Sequence, residues 1–164
     1  MNALEDSGKD LNQTHRMQIW WDNAMTGGDQ LRQRVAWALS QIFVISDQHS
    51  SLSGDVKGMC EYYDILSRDA FGNYRQLLED VTLSPAMGKY LNMLRNEKAN
   101  PTYNIRPDEN YAREILQLFS IGLVQLDVDG TPLHDGLGNT IPTYDQSVVE
   151  GFAATFTGWT FESS

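Results

Sequence analysis

With 164 residues, 41% of them hydrophobic and 10% aromatic, the chain has the length of one ordinary domain and enough apolar mass for a core. Its formal charge of -10 is gathered late, where residues 101–164 set nine carboxylates against only Arg106 and Arg113. That balance argues against nucleic acid, whose backbone calls for clustered Lys and Arg, and no run approaches the ~20 apolar residues of a membrane-spanning helix.

Residues 1–13 read as a polar tail, with no apolar stretch behind a basic start and so no signal peptide. A first helix runs from about Thr14 to Met25 through Met17, Ile19, Trp20 and Trp21, and Gly27-Gly28 breaks it. Asp29 is placed to cap a long second helix whose stripe of Leu31, Val35, Leu39, Ile42 and Phe43 is joined by Ala36, Trp37, Val44 and Ile45. So little of it is polar that a central, buried helix is expected, with its tail through Ile45 kept helical. The Ser- and Gly-rich residues 47–58 form a loop. Met59, Tyr62, Tyr63, Leu66 and Phe71 mark a third helix stopped at Gly72, and Asn73 caps a fourth with Tyr74, Leu77, Leu78 and Val81 inward. Ser84-Pro85 opens a short fifth helix through Met87, Tyr90, Leu91 and Leu94, and residues 96–104 form a polar loop.

The densest signal follows. Pro107 suits the first turn of a helix, Asp108 and Glu109 meet its positive end, and Gly122 offers a left-handed stop. Tyr111, Ala112, Ile115, Leu118 and Phe119 make the apolar stripe, while Asn110, Arg113, Glu114 and Gln117 fill the rest of the circumference. Glu109 and Arg113 stand four apart in the favourable order for an ion pair. Residues 123–142 change character: Leu123 to Leu126 has the makings of a strand, and Asp129-Gly130, Asp135-Gly136 and Gly138-Asn139 are turn dipeptides, so a small β-hairpin or ordered loop is expected. Thr143 caps a last helix, with Gln146 in the capping-box position and Val148, Val149, Phe152, Ala153 and Phe156 inward. The sequence displays no internal repeat. The fold class is therefore mainly α, with orthogonal or bundle-like helix packing and one small excursion near 123–142.

Chemistry is sparse. His15, His49 and His134 have no metal spacing. Asp127, Asp129, Asp135 and Asn139 are weak calcium candidates, because Pro132 occupies the place of the turn glycine in a calcium loop and Gly138 that of its bidentate carboxylate. Cys60, the sole cysteine, reads as a buried structural thiol, and neither a nucleophile elbow nor a phosphate loop is present. No cofactor is called for. Carboxylates are the remaining option: Glu109 and Glu114 lie about 140° apart around a helix and need a partner such as Asp145 or Glu150 from another element. The polar row of this helix reads as a solvated face or, if Glu114 is drawn inward beside Arg113 and Asn110, first as a buried ion-pair network and second as a catalytic site.

Taken with Asp29 to Ala36, Ala70-Phe71-Gly72-Asn73, Leu78-Glu79-Asp80-Val81-Thr82, Pro85-Ala86-Met87 and Phe156-Thr157-Gly158-Trp159, the segment from Arg106 to Gly122 resembles one family. It is similar, from about Trp20 to Trp159, to the bacterial domain-of-unknown-function eighteen-hundred family. The resemblance implies a mostly helical protein of several hundred residues, frequently exported and encoded beside an exported sulfatase-like family. On that footing residues 14–164 are expected to be a partial helical domain inside a longer parent, periplasmic or extracellular. Its partners would then be the rest of that parent and the co-encoded protein. The expected role is a structural or partner-binding module of an exported or cell-surface system; the alternative is a hydrolase-type enzyme built around Glu114, Arg113 and Asn110.

Overall fold

The computed structural model describes residues 11–161, so the polar tail expected over residues 1–13 lies mostly outside the described residues. The fold is mainly α, with seven α-helices and one 3-10 turn among the described residues and no named strand. The chain divides after Tyr90 into two compact units.

The first unit holds five helices: α1 (Gln13–Thr26), α2 (Gln30–Ile42), α3 (Val56–Arg68), α4 (Tyr74–Leu83) and α5 (Pro85–Tyr90). Helix α3 packs on α1, α2, α4 and α5, and its buried Met59, Tyr62 and Leu66 meet a core completed by Phe43, Leu52, Leu77, Val81 and Met87. Each such side chain contributes about 1.5–3 kcal/mol by leaving water. The Tyr62 hydroxyl, buried with its ring, donates to the Phe43 carbonyl at 2.7 Å, which removes the cost of burying both groups unpaired.

Several expectations are corrected here. Helix α2 is not a central buried helix: its buried residues are the small Ala36 and Ser40, while Leu31 is 69% and Trp37 50% exposed. It also stops at Ile42, short of the expected Ile45: Phe43 caps it at φ -85° and ψ 65°, and Phe43, Val44 and Ile45 are buried, exposed and buried in turn. Asp29 precedes α2 without capping it; its carboxylate accepts from the Gln33 side chain at 3.3 Å instead. Helix α3 begins inside the stretch expected as loop, because the Asp55 carboxylate accepts from Gly58 N–H at 2.9 Å and supplies the missing cap. It ends at Arg68, leaving Phe71 exposed beneath the Arg32 guanidinium. Tyr74 is likewise exposed, while Asn73 caps α4 as expected by accepting from Arg75 N–H. Helix α5 is shorter than expected, ending at Tyr90 before Asn92 turns left-handed at φ 59°.

The second unit is built around α6 (Asn110–Gln117) and α7 (Gln146–Thr155), preceded by the 3-10 turn Pro101–Tyr103. Ala112, Leu116, Val149 and Ala153 form the buried seam between the two helices, with Ile115, Tyr144 and Phe156 packed around it. The alanines allow close approach, and the Tyr111 and Phe156 rings meet edge to face at 5.1 Å. Helix α6 is the predicted one but shorter at both ends: Pro107 to Glu109 precede it, and it closes at Gln117 with Leu118 still right-handed, so Gly122, left-handed at φ 73°, turns the chain beyond it and is not its stop. Its stripe uses Leu116 where Leu118 was expected, and Leu118 is exposed. Helix α7 starts two residues later than a Thr143 cap implies. Asp145 is its cap, and the Thr143 hydroxyl donates to the Gly122 carbonyl.

Residues 123–142 form the expected hairpin-like excursion, held by bridges Val124 to Pro142, Leu126 to Pro132 and His134 to Thr140. They also contain a repeat that the side chains conceal. Gly130 and Gly138, eight positions apart, both adopt φ 85° and donate to the carbonyls of Asp127 and Asp135. Gln125, Leu133 and Ile141, again eight apart, close a ring: Gln125 N–H donates to Ile141, Ile141 to Leu133, and Leu133 to Gln125, at 2.8 to 3.0 Å. Three short segments thus donate to one another in turn.

Candidate functional site

The polar face of α6 is where the sequence pattern puts a candidate site. Asn96, buried in the loop ahead of the helix, grips the backbone of Asp108: its Oδ1 accepts from Asp108 N–H at 2.8 Å and its Nδ2 donates to Asp108 C=O at 3.1 Å. Asp108 Oδ1 in turn accepts from Asn110 N–H, starting the helix with a carboxylate against its positive end. These contacts set the direction in which Glu109 and Arg113 leave the chain.

Glu109 and Arg113 pair as their spacing predicts, at 2.5 Å. Gln146, at the start of α7, joins them: it accepts from Arg113 at 2.9 Å and donates toward both Glu109 oxygens at 3.2 Å and toward Glu150 at 3.3 Å. Hydrogen bonds from Gln146 first, and then the Arg113 guanidinium, hold the Glu109 carboxyl below the usual range. Four polar side chains therefore tie α6 to α7 above the seam of alanines. Gln146 was expected as a capping-box residue, and Asn96 only as part of a polar loop. The hub role of Gln146 has no local sequence signal, because it depends on a residue 37 positions away.

The other members of the predicted cluster are not brought into this network. Asn110 is exposed, and its side chain makes no hydrogen bond among the described residues. Glu114 is turned away from Glu109, with Oε2 buried and unpartnered, and burial raises its carboxyl above the usual range. Asp145 accepts from Ser147 Oγ, Ser147 N–H and Val148 N–H, which hold its carboxyl low and commit it to the helix cap. The arrangement fixes one helix against another, with Glu109 and Asp145 both engaged away from Glu114.

The calcium candidates serve their own turns. Asp127 accepts from Val128 N–H, Asp129 from Thr131 N–H, and Asp135 from Leu137 and Asn139 N–H. Among the described residues no three His, Cys, Asp or Glu side chains gather at metal-binding distance. Cys60 is half-buried, and burial pushes its thiol up, away from a reactive thiolate. No described helix is long and apolar enough to cross a membrane.

Residues 3–164 match the profile of the family described as Protein of unknown function (DUF1800). No curated protein and no solved structure matches the chain. The match spans essentially the whole sequence and includes both the α6 segment and the Gly158-Trp159 end, so the chain belongs to this family.

Proposed function

We propose that this segment is a structural or partner-binding module of an exported or cell-surface bacterial system. The observation that carries the reading is the closure of the polar row on itself: Arg113, Glu109, Gln146 and Glu150 satisfy one another across α6 and α7, as groups holding two helices in register do. In support, α1 and α2 leave Trp21, Met25, Leu31 and Trp37 in water, apolar surface of the kind a partner covers. The hydrolase alternative requires a second carboxylate beside Glu114, and two of the candidates the sequence offers are engaged elsewhere: Glu109 in the clasp, Asp145 in the α7 cap.

Glu114→Gln in the full-length parent tests the choice. A module tolerates it, with the parent's cellular function kept and the melting temperature unchanged or raised, since the partial burial that disfavours the Glu114 charge no longer acts on a neutral amide. Lost function at an unchanged melting temperature would overturn the module reading in favour of a site.

A further inference from the structure

A cavity of about 400 Å³ lies within the second unit, where residues 95–100 and Ile105 meet residues 157–160. That volume falls inside the roughly 300–1,000 Å³ of clefts that take a small molecule. Two backbone bonds tie its sides together: Arg95 N–H donates to the Trp159 carbonyl at 2.7 Å, and Gly158 N–H to the Asn96 carbonyl at 2.8 Å. Asn96 is buried and fastened in turn to the Asp108 backbone, so the fold itself sets the frame of the cavity. A ligand would not have to order it.

Charge and backbone both single out Arg95. Residues 91–164 carry ten carboxylates against four basic side chains, Arg95, Lys98, Arg106 and Arg113. Arg113 is held by Glu109, whereas Arg95 and Lys98 line the cavity and make no ion pair or side-chain hydrogen bond among the described residues. Glu97, the carboxylate on the lining, pairs with neither, so the wall is net positive in an otherwise acidic unit. Three residues other than glycine adopt positive φ among the described residues: Asn92, Asn104 and Arg95, the last at 63°. Asparagine visits that region readily, but the Cβ of an arginine crowds the following carbonyl there and glycine would not. What the strained residue adds over glycine is a guanidinium on the cavity wall.

We propose that this cavity binds a small organic oxyanion, a carboxylate or phosphate monoester whose acid group meets Arg95 and Lys98 while its apolar body lies against Ile105 and Trp159. A guanidinium offers a planar fork of donors that fits either acid group, and the ammonium adds a compact charge beside it. A cationic ligand would meet a net positive wall, and a neutral one would leave both cations without a counter-charge. The inference goes beyond the module reading and does not rest on it.

The test titrates the full chain, labelled with ¹⁵N, with phenyl phosphate, benzoate and benzyl alcohol, which share a ring and differ in the acid group. At least one of the two acids should bind saturably and shift the Gly158 amide and the Trp159 indole, while the indoles of Trp20, Trp21 and Trp37, in the first unit, stay. Binding of phenyl phosphate alone assigns the site to phosphate esters, and binding of benzoate alone to carboxylates. Arg95→Gly should weaken binding roughly tenfold or more without lowering the melting temperature, because glycine accepts the left-handed backbone. Should Arg95→Gly lower the melting temperature, Lys98→Ala, a change at an exposed side chain, decides by the same loss of affinity. The proposal is overturned if neither acid saturates, if benzyl alcohol binds as tightly as the acids, if the first-unit indoles shift equally, or if well-folded Arg95→Gly and Lys98→Ala both bind as the wild type does.

Discussion

Gly58→Ala should change sign with the residue at position 55. Gly58 lies in the first turn of α3, and a Cβ built on it would fall 2.6 Å from Asp55 Oδ2 and 2.8 Å from its Cγ. That carboxylate caps the helix through Gly58 N–H at 2.9 Å and pairs with Lys89 at 2.5 Å, both partners being about a quarter exposed. The methyl group must displace it. Lost capping costs about 1 kcal/mol and the partly exposed ion pair about 0.2–1 kcal/mol, while replacing a helical Gly returns up to about 1 kcal/mol. The net in the wild-type background is therefore a loss of roughly 0–1 kcal/mol, whereas in Asp55→Ala the same change stabilises by up to about 1 kcal/mol. Denaturant unfolding of the four proteins of this double-mutant cycle, with amide exchange in α3 reporting the first unit, measures the coupling. Equal effects of Gly58→Ala in both backgrounds would refute the geometry. The coupling should also depend on pH. Burial alone would push the Asp55 carboxyl up, but the Lys89 ammonium and Gly58 N–H outweigh it and hold it below its ordinary value. A depressed carboxyl stabilises the fold above the unfolded-state pKa and ceases to do so as pH falls through the folded-state one, so the cycle should lose its coupling in acid.

Three further outcomes follow from single contacts. Tyr62→Phe removes the buried hydrogen bond to the Phe43 carbonyl and should cost about 0.5–1.5 kcal/mol in denaturant unfolding, more than loss of an exposed hydroxyl would. Asn96→Ala removes both bonds to the Asp108 backbone and should cost about 2 kcal/mol, with faster exchange of the Asp108 amide. Unaltered exchange there would show that Asn96 does not position α6. Burial raises the Glu114 carboxyl, so its contribution favours the fold below the ordinary glutamate pKa and is lost as pH rises through the raised value. Glu114→Gln should accordingly flatten the melting temperature against pH just above that range.

What the sequence determined by itself was local. Asn73, Pro85 and the 3.6-residue period announce helices because caps, ring constraints and amphipathic stripes act within one turn of chain. The family signature around α6, its Glu109 and Arg113 pair and the turns of 123–142 were legible for the same reason. Tertiary structure decided which stripe is inside. Helix α2 reads as the most buried and is not, since packing chose Ala36 and Ser40 and left Leu31 and Trp37 in water. Helix-to-helix contact selects for fit as well as hydrophobicity, and fit depends on neighbours that no window of sequence contains. The candidate site divides in the same way. Chain proximity paired Glu109 with Arg113, but only the docking of α7 brought Gln146 between them, while Glu114 keeps one oxygen, Oε2, buried without a partner. Side chains tens of residues apart meet through the folded backbone, and the identity of either one carries no record of the other.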